Sequence, residues 1–370
     1  MSERSERTSG HSVLEERYRR WLRLLPASYR AEREEEMVSA FLEGAQSGRA
    51  GHDDQRPRFL EIASVAALAL RLRLGGPGSP PRSYLWGEAV RGAALFGLVF
   101  WTVISGLYAG QAVLTYGIPA DALPDGVMGI GDPGSPERVR LVLADLTPLL
   151  WAAGLGALVR GRARTAKAAA IAALVVPLVL FPPLFVRPEG VVSWACSVLP
   201  AVVTVLALAI GFHRDAPQPR LPARRALLLL ALPIAAGVLL SVVVGVLAAM
   251  VRAGTVPAQP LMSAWMWIDT PGLMCVSLLA VTVWCLARHG ASGKPAAPVA
   301  LGAAILTGPA VLARVGTMPW GETGETGVIG LNATLQLAVL VAGGITLVVI
   351  GVRALRATDR DLTVVRGQPG

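Results

Sequence analysis

Six side chains in this sequence could do chemistry where polar groups are costly. Gln111, Asp145, Asp269, Arg314, Asn332 and Gln336 lie within or beside long apolar runs. A charged side chain at the centre of a bilayer costs about 2.5–3.5 kcal/mol on insertion scales, so such residues pair, reach water or serve a function. Asp269 or Asp145 paired with Arg314 would make a polar pocket able to bind an ion or small solute. The same residues could equally be interfacial groups or glue between helices. Asn332 and Gln336 are one helical turn apart and share a face with Gly343, so that face points into a bundle.

Other chemistries find no support. The histidines are His11, His52, His213 and His289, and none has a partner at metal-ligand spacing. There is no phosphate-cradling Gly-rich loop ending in Gly-Lys-Ser/Thr and no Gly-x-Ser-x-Gly elbow. No catalytic residue, metal ligand or cofactor is therefore expected, and the chain is expected to be a non-enzyme. It could still be the membrane subunit of a larger machine.

The acids sit in a pattern that occurs twice. Asp145-Leu146-Thr147-Pro148 precedes an apolar run to Val159 and then Arg160, Arg162, Arg164 and Lys167. Asp269-Thr270-Pro271 precedes an apolar run to Ala287 and then Arg288, His289 and Lys294. Each copy leads into an Ala/Leu/Val-rich helix with an internal proline, Pro177 or Pro309. The Asp-to-Pro spacing differs by one residue between the copies.

The elements that must position these residues are membrane spans. Of 370 residues, 53% are hydrophobic and 16% charged, and the charges are segregated. A crossing helix needs about 20 mostly apolar residues, and on that measure the chain reads as about eight spans. They fall at 90–114, 142–159, 166–186, 191–212, 226–250, 267–287, 297–314 and 329–352. Basic residues crowd the loops after spans two, four and six and the tail, where Arg353, Arg356, Arg360 and Arg366 lie. Asp121, Asp125, Asp132, Glu137, Glu189, Glu322 and Glu325 fall in the opposite loops. By the positive-inside rule both termini are cytoplasmic, in the plasma membrane of a bacterium. The net charge of +9 is thus explained by topology rather than by nucleic acid, which is excluded as a partner.

Small residues recur at four-residue spacing, at Gly106 and Gly110 and again at Gly237, Ser241, Gly245 and Ala249. They fit close helix packing, inside the bundle or between subunits. Cys196, Cys275 and Cys285 lie in apolar segments and read as small hydrophobes. Pro177, Pro182, Pro183, Pro200, Pro233 and Pro309 interrupt several spans and free carbonyls that neighbours must satisfy.

Ahead of the spans, residues 14–25 put Leu14, Tyr18, Trp21, Leu22 and Leu25 on one helical face, and Pro26 ends that helix. Ser28 is read as the cap of a second helix, Gly44 to Gln55 as a polar linker, and Arg58 to Leu74 as a third helix. The three can bury one small core or lie on the membrane surface. The run from Tyr18 to Arg30, with Glu34-Glu35-Glu36-Met37 and Phe41, resembles the helical prefix of many actinobacterial membrane proteins. It is similar to permease-prefix or HAAS-type modules on transporter subunits and on partners of PadR-like regulators. The resemblance covers about residues 14–75 and implies docking or regulation.

The expectation is an all-α protein: a polytopic membrane helix bundle, with room for a tandem 4+4 parallel repeat, behind a small cytosolic helical domain. Its parts are a disordered 1–13, a prefix at 14–76, a linker at 77–89, spans over 90–353 and a basic tail at 354–370. Its partners are the lipid bilayer and another membrane or cytosolic protein reached through 14–76. The role is that of a regulatory or accessory membrane component, with a secondary transporter or export permease subunit as the alternative.

Overall fold

A computed structural model describes residues 15–47, 59–75, 81–116, 135–180, 188–213, 221–292, 297–318 and 327–366. The described residues are helical throughout and divide into two compact units, Met1–Gly87 and Glu88–Gly370. Pro182, Pro183 and the acids of the longer loops lie outside the described residues.

The N-terminal unit holds α1 (15–22), α2 (Ala27–Ser47) and α3 (Phe59–Arg73). Tyr18, Leu22 and Leu25 pack with Val38 of α2 and with Val65 and Ala69 of α3 in one apolar core. The Tyr18 and Phe41 rings stack at 4.0 Å. Arg19 ties α1 to α2, donating to both Glu35 oxygens at 2.8 and 2.9 Å and to Glu15 at 3.0 Å. That contact holds the Glu35 carboxyl below the usual carboxylate range and pushes Arg19 up. Trp21 and Leu24 stay exposed.

Three boundaries differ from the sequence reading. The second helix begins at Ala27, one residue before Ser28, with the Pro26 carbonyl accepting the Arg30 N–H at 3.0 Å. Its last turn runs through Gly44 to Ser47, part of the expected polar linker, because no proline stops it. The linker expected at 77–89 is helical from Pro81, since proline suits a first helical position and no further proline follows before Tyr116.

The second unit contains most of α4 (Pro81–Tyr116), followed by α5 (Pro136–Leu146), α6 (Leu149–Val159), α7 (Ala163–Leu180) and α8 (Pro188–Gly211). Then come α9 (Ala223–Arg252), α10 (Ala258–Ile268), α11 (Thr270–Ser292), α12 (Ala297–Gly316) and α13 (Gly327–Arg366). Among the described residues, 7 helices are long and apolar enough to cross a membrane. The protein is an all-α polytopic membrane bundle. Its α9 exposes Leu227, Leu228, Leu232, Leu239 and Val246, a surface that lipid covers and water would not tolerate. The expected span at 166–186 corresponds to α7, and residues 181–186 of that expectation lie outside the described part. A tight turn joins α6 to α7: Gly161 takes φ 76, and the Arg162 N–H reaches back to the Ala157 carbonyl at 2.9 Å. Lys167, at the start of α7, donates to the Ala209 carbonyl near the end of α8 at 2.9 Å, so α6, α7 and α8 alternate in direction.

Helix α12 lies at the centre, against α8, α11 and α13. Ala300, Gly302, Ala303, Ala310 and Ala313 keep its surface small, so neighbours approach closely. The Gly/Ser stripes pack against each other: a Cβ on Gly237 would strike the Val103 carbonyl and the Leu107 amide, and one on Gly110 would strike Ser241. They are the crossing of α4 and α9 within one chain. Cys275 and Cys285 are buried free thiols and Cys196 is a half-buried one.

Candidate functional site

Both Asp-Pro motifs interrupt a helix, but the one-residue difference in spacing changes what the acid does. In the first copy, Asp145 lies in the last turn of α5, and Thr147 and Pro148 keep helical dihedrals, so α5 and α6 meet at a proline kink. Ser105 of α4 donates to the Pro148 carbonyl. In the second copy, Asp269 is extended (φ −61, ψ 162), and the chain breaks there. Its Oδ1 caps α11 by accepting the Gly272 N–H at 2.7 Å, with Pro271 in the first turn where a missing N–H costs nothing. Gly272 has no room for a side chain, since a Cβ would meet the Met266 carbonyl and Asp269.

The break has a consequence for polar satisfaction. The last carbonyls of α10 lose their helical donors. Arg314, from the last turn of α12, fills that gap: its Nη2 donates to the Met266 carbonyl at 3.0 Å and to Asp269 Oδ1 at 3.1 Å. Its Nη1 reaches Asp269 Oδ2 at 3.4 Å, and Nη2 also meets Gln336 Oε1. Gln336 of α13 turns its Nε2 to the same Met266 carbonyl at 2.8 Å. Four helices thus converge on one broken turn. The Arg314 side chain is 1% exposed and that of Asp269 24%, so the cation is sealed and the carboxylate is not. Arg314 Nε is buried with no partner.

Arg314 lies at a span end, in the last turn of α12, yet it is no interfacial group: it is the largest fully buried side chain described. Of the six candidate residues, Asp269, Arg314 and Gln336 meet. Asn332 is half-buried one turn from Gln336 and outside the cluster, because a step of four along α13 also carries it toward the helix end. Asp145 does not pair with Arg314; it lies one turn before Pro148, whose carbonyl meets Ser105 one turn before Tyr108. Gln111 lines a cavity of about 320 Å³ that Asp269 also lines.

That cavity is walled by Leu107, Tyr108 and Gln111 of α4 and by Ser197 and Pro200 of α8. Trp265 and Ile268 of α10, Pro271 and Met274 of α11, and Ala313 and Thr317 near the end of α12 complete it. The lining is mostly apolar, with the Asp269 carboxylate and a few hydroxyl and amide groups at its polar edge. No protein-family model, curated protein or solved structure matches this chain.

The sequence reading missed Tyr108, Ser197, Trp265 and Thr317 as lining residues, and the Met266 carbonyl as the acceptor that gathers the cluster. Only the Asp-Thr-Pro spacing hinted at it, since an acid two residues before proline is a helix cap and implies a free carbonyl behind it. Among the described residues no group of three His, Cys, Asp or Glu could hold a metal ion.

Proposed function

We propose that this protein is a regulatory or accessory component of a bacterial plasma membrane, acting by binding rather than catalysis, with both termini in the cytoplasm. The observation that carries the reading is the separate N-terminal unit. Three helices share a core of their own, ahead of the spanning bundle, yet leave Trp21 and Leu24 exposed beside Arg20 and Arg23. Aromatic and Arg side chains of this kind dominate protein interfaces. The resemblance of residues 14–75 to permease-prefix or HAAS-type modules points the same way, toward a cytosolic or membrane partner held by this unit.

Gentle detergent extraction of the full chain, alongside a Trp21→Ser/Leu24→Ser variant, tests this. A partner recovered with the parent and lost from the variant is the expected result. An equal partner yield from both, or none from either, defeats the proposal.

The cavity favours a second reading, as a permease subunit whose solute pocket opens to the outer face. The topology that puts both termini in the cytoplasm puts the end of α4 and the starts of α11 and α13 at the outer side. Solute flux in proteoliposomes that stops when the cavity is filled would favour it over the first.

A further inference from the structure

The cavity has an unequal charge balance, and that balance bears on what fits it. Asp269 meets Arg314, which neutralises it on paper, but the pairing is lopsided. Oδ1 accepts from Gly272 and from Arg314 Nη2, at 2.7 and 3.1 Å, whereas the contact at Oδ2 is the long one of 3.4 Å from Nη1. A carboxylate has about four acceptor sites, so Oδ2 keeps capacity for another donor. The carboxylate is the partly exposed member of the pair and borders the cavity.

A second acid lies close behind. Asp145 is half-buried in α5, one turn before the Pro148 carbonyl that accepts from Ser105, and Tyr108, one turn after Ser105, lines the cavity. Arg138 and Arg140 lie five to seven residues back, toward the start of α5. With the Arg314 guanidinium sealed, Asp269 is the charged group that borders the cavity, and Asp145 on α5 adds a second acid on the Tyr108 side. Its walls add Trp265 and Tyr108, each more than a third exposed, whose ring faces attract cations. The rest is apolar, and the volume of about 320 Å³ falls at the small end of the usual range for organic ligands.

We propose that this cavity binds small organic monocations, an ammonium head at Asp269 Oδ2 with an aromatic or aliphatic body against Trp265, Ile268 and Met274. The proposal rests on the solute-pocket reading and names its ligand class. An anion would meet Asp269 with the positive side chain turned away, and a neutral molecule would leave the free carboxylate oxygen unanswered.

The test uses the full chain in lipid nanodiscs and three probes of one size: phenethylammonium, 2-phenylethanol and 3-phenylpropionate. Binding is measured by equilibrium dialysis against empty nanodiscs, which removes partition into lipid. Phenethylammonium is expected to bind saturably and about tenfold or more tighter than the alcohol, with the carboxylate weakest. Asp145→Asn leaves the Arg314 cluster untouched and should weaken the ammonium about three- to fivefold without changing the alcohol. Ser197→Phe, checked for an unchanged melting curve, should abolish binding of both. Equal binding of alcohol and ammonium, or no effect of Asp145→Asn, overturns the ligand class while leaving the pocket. Absence of saturable binding for all three probes, or unchanged binding in Ser197→Phe, overturns the pocket reading and the proposal with it.

Discussion

Replacing Asp269 by Asn tests whether the ion pair organises the broken turn. Asn keeps a side-chain oxygen to cap Gly272, so the cap survives and only the charge is lost. Arg314, 1% exposed, is then a buried cation facing a neutral amide. Breaking a buried pair in this way costs about 3–5 kcal/mol, mostly from the stranded charge. The reverse change is milder. In Arg314→Met the carboxylate that remains is 24% exposed and still accepts the Gly272 N–H, while the Met266 carbonyl keeps Gln336 as a donor. A cost of about 1–3 kcal/mol follows, set by the lost hydrogen bonds. The double variant removes both charges and should recover about 2 kcal/mol or more relative to Asp269→Asn alone. Reversible denaturant unfolding in mixed micelles, followed by circular dichroism, measures all three. If Asp269→Asn lies within about 1 kcal/mol of the parent, or the double variant is no better than that single one, the pair does not hold this turn.

Other consequences can be measured in the same way. At the α4–α9 crossing, Gly237→Ala forces a methyl into the backbone of Val103 and Leu107 and should cost about 1–3 kcal/mol. Gly308→Ala meets nothing within 4 Å and should leave stability unchanged or raise it by about 0.5–1 kcal/mol, so the two separate crowding from helix propensity. The Arg19–Glu35 contact should depend on pH with a defined sign. Glu35 is depressed in the folded chain, so its contribution is present above the unfolded carboxylate value and lost as pH falls through the folded one. Hydrogen exchange of the α1 and α2 amides should therefore quicken below about pH 4 relative to a Glu35→Gln control.

The membrane architecture was legible in the sequence because it depends on local quantities. Apolar run length, charge segregation and breaker residues each act over one helix, so residues 90–114 or 329–352 announce themselves without reference to the rest. Small-residue stripes at Gly106/Gly110 and Gly237/Ser241 were equally visible, but whether they met each other or another subunit was a question of tertiary pairing. Boundaries failed where tolerance is broad: proline at position 81 starts a helix as readily as it marks a linker, and Ser28 caps only if the turn before it does not already close. The candidate site was legible as residue types at similar depth. Six polar residues were visible, yet a sequence states depth along a helix and not azimuth around it. Asn332 and Asp145 share that depth and lie outside the cluster.

What the sequence alone determined was that Asp269, Arg314 and Gln336 lie within or beside apolar runs, where a polar group must pair, reach water or serve a function. The break at 269, which frees the α10 carbonyls and calls for a donor, is a finding of the structure. Only the tertiary structure decided which donor. Close approach of the Ala- and Gly-rich α12 carries Arg314 and the Met266 carbonyl to within 3.0 Å, and α13 adds Gln336. Burial is a property of the whole bundle, so an Arg at the end of a span becomes the largest fully buried side chain among the described residues.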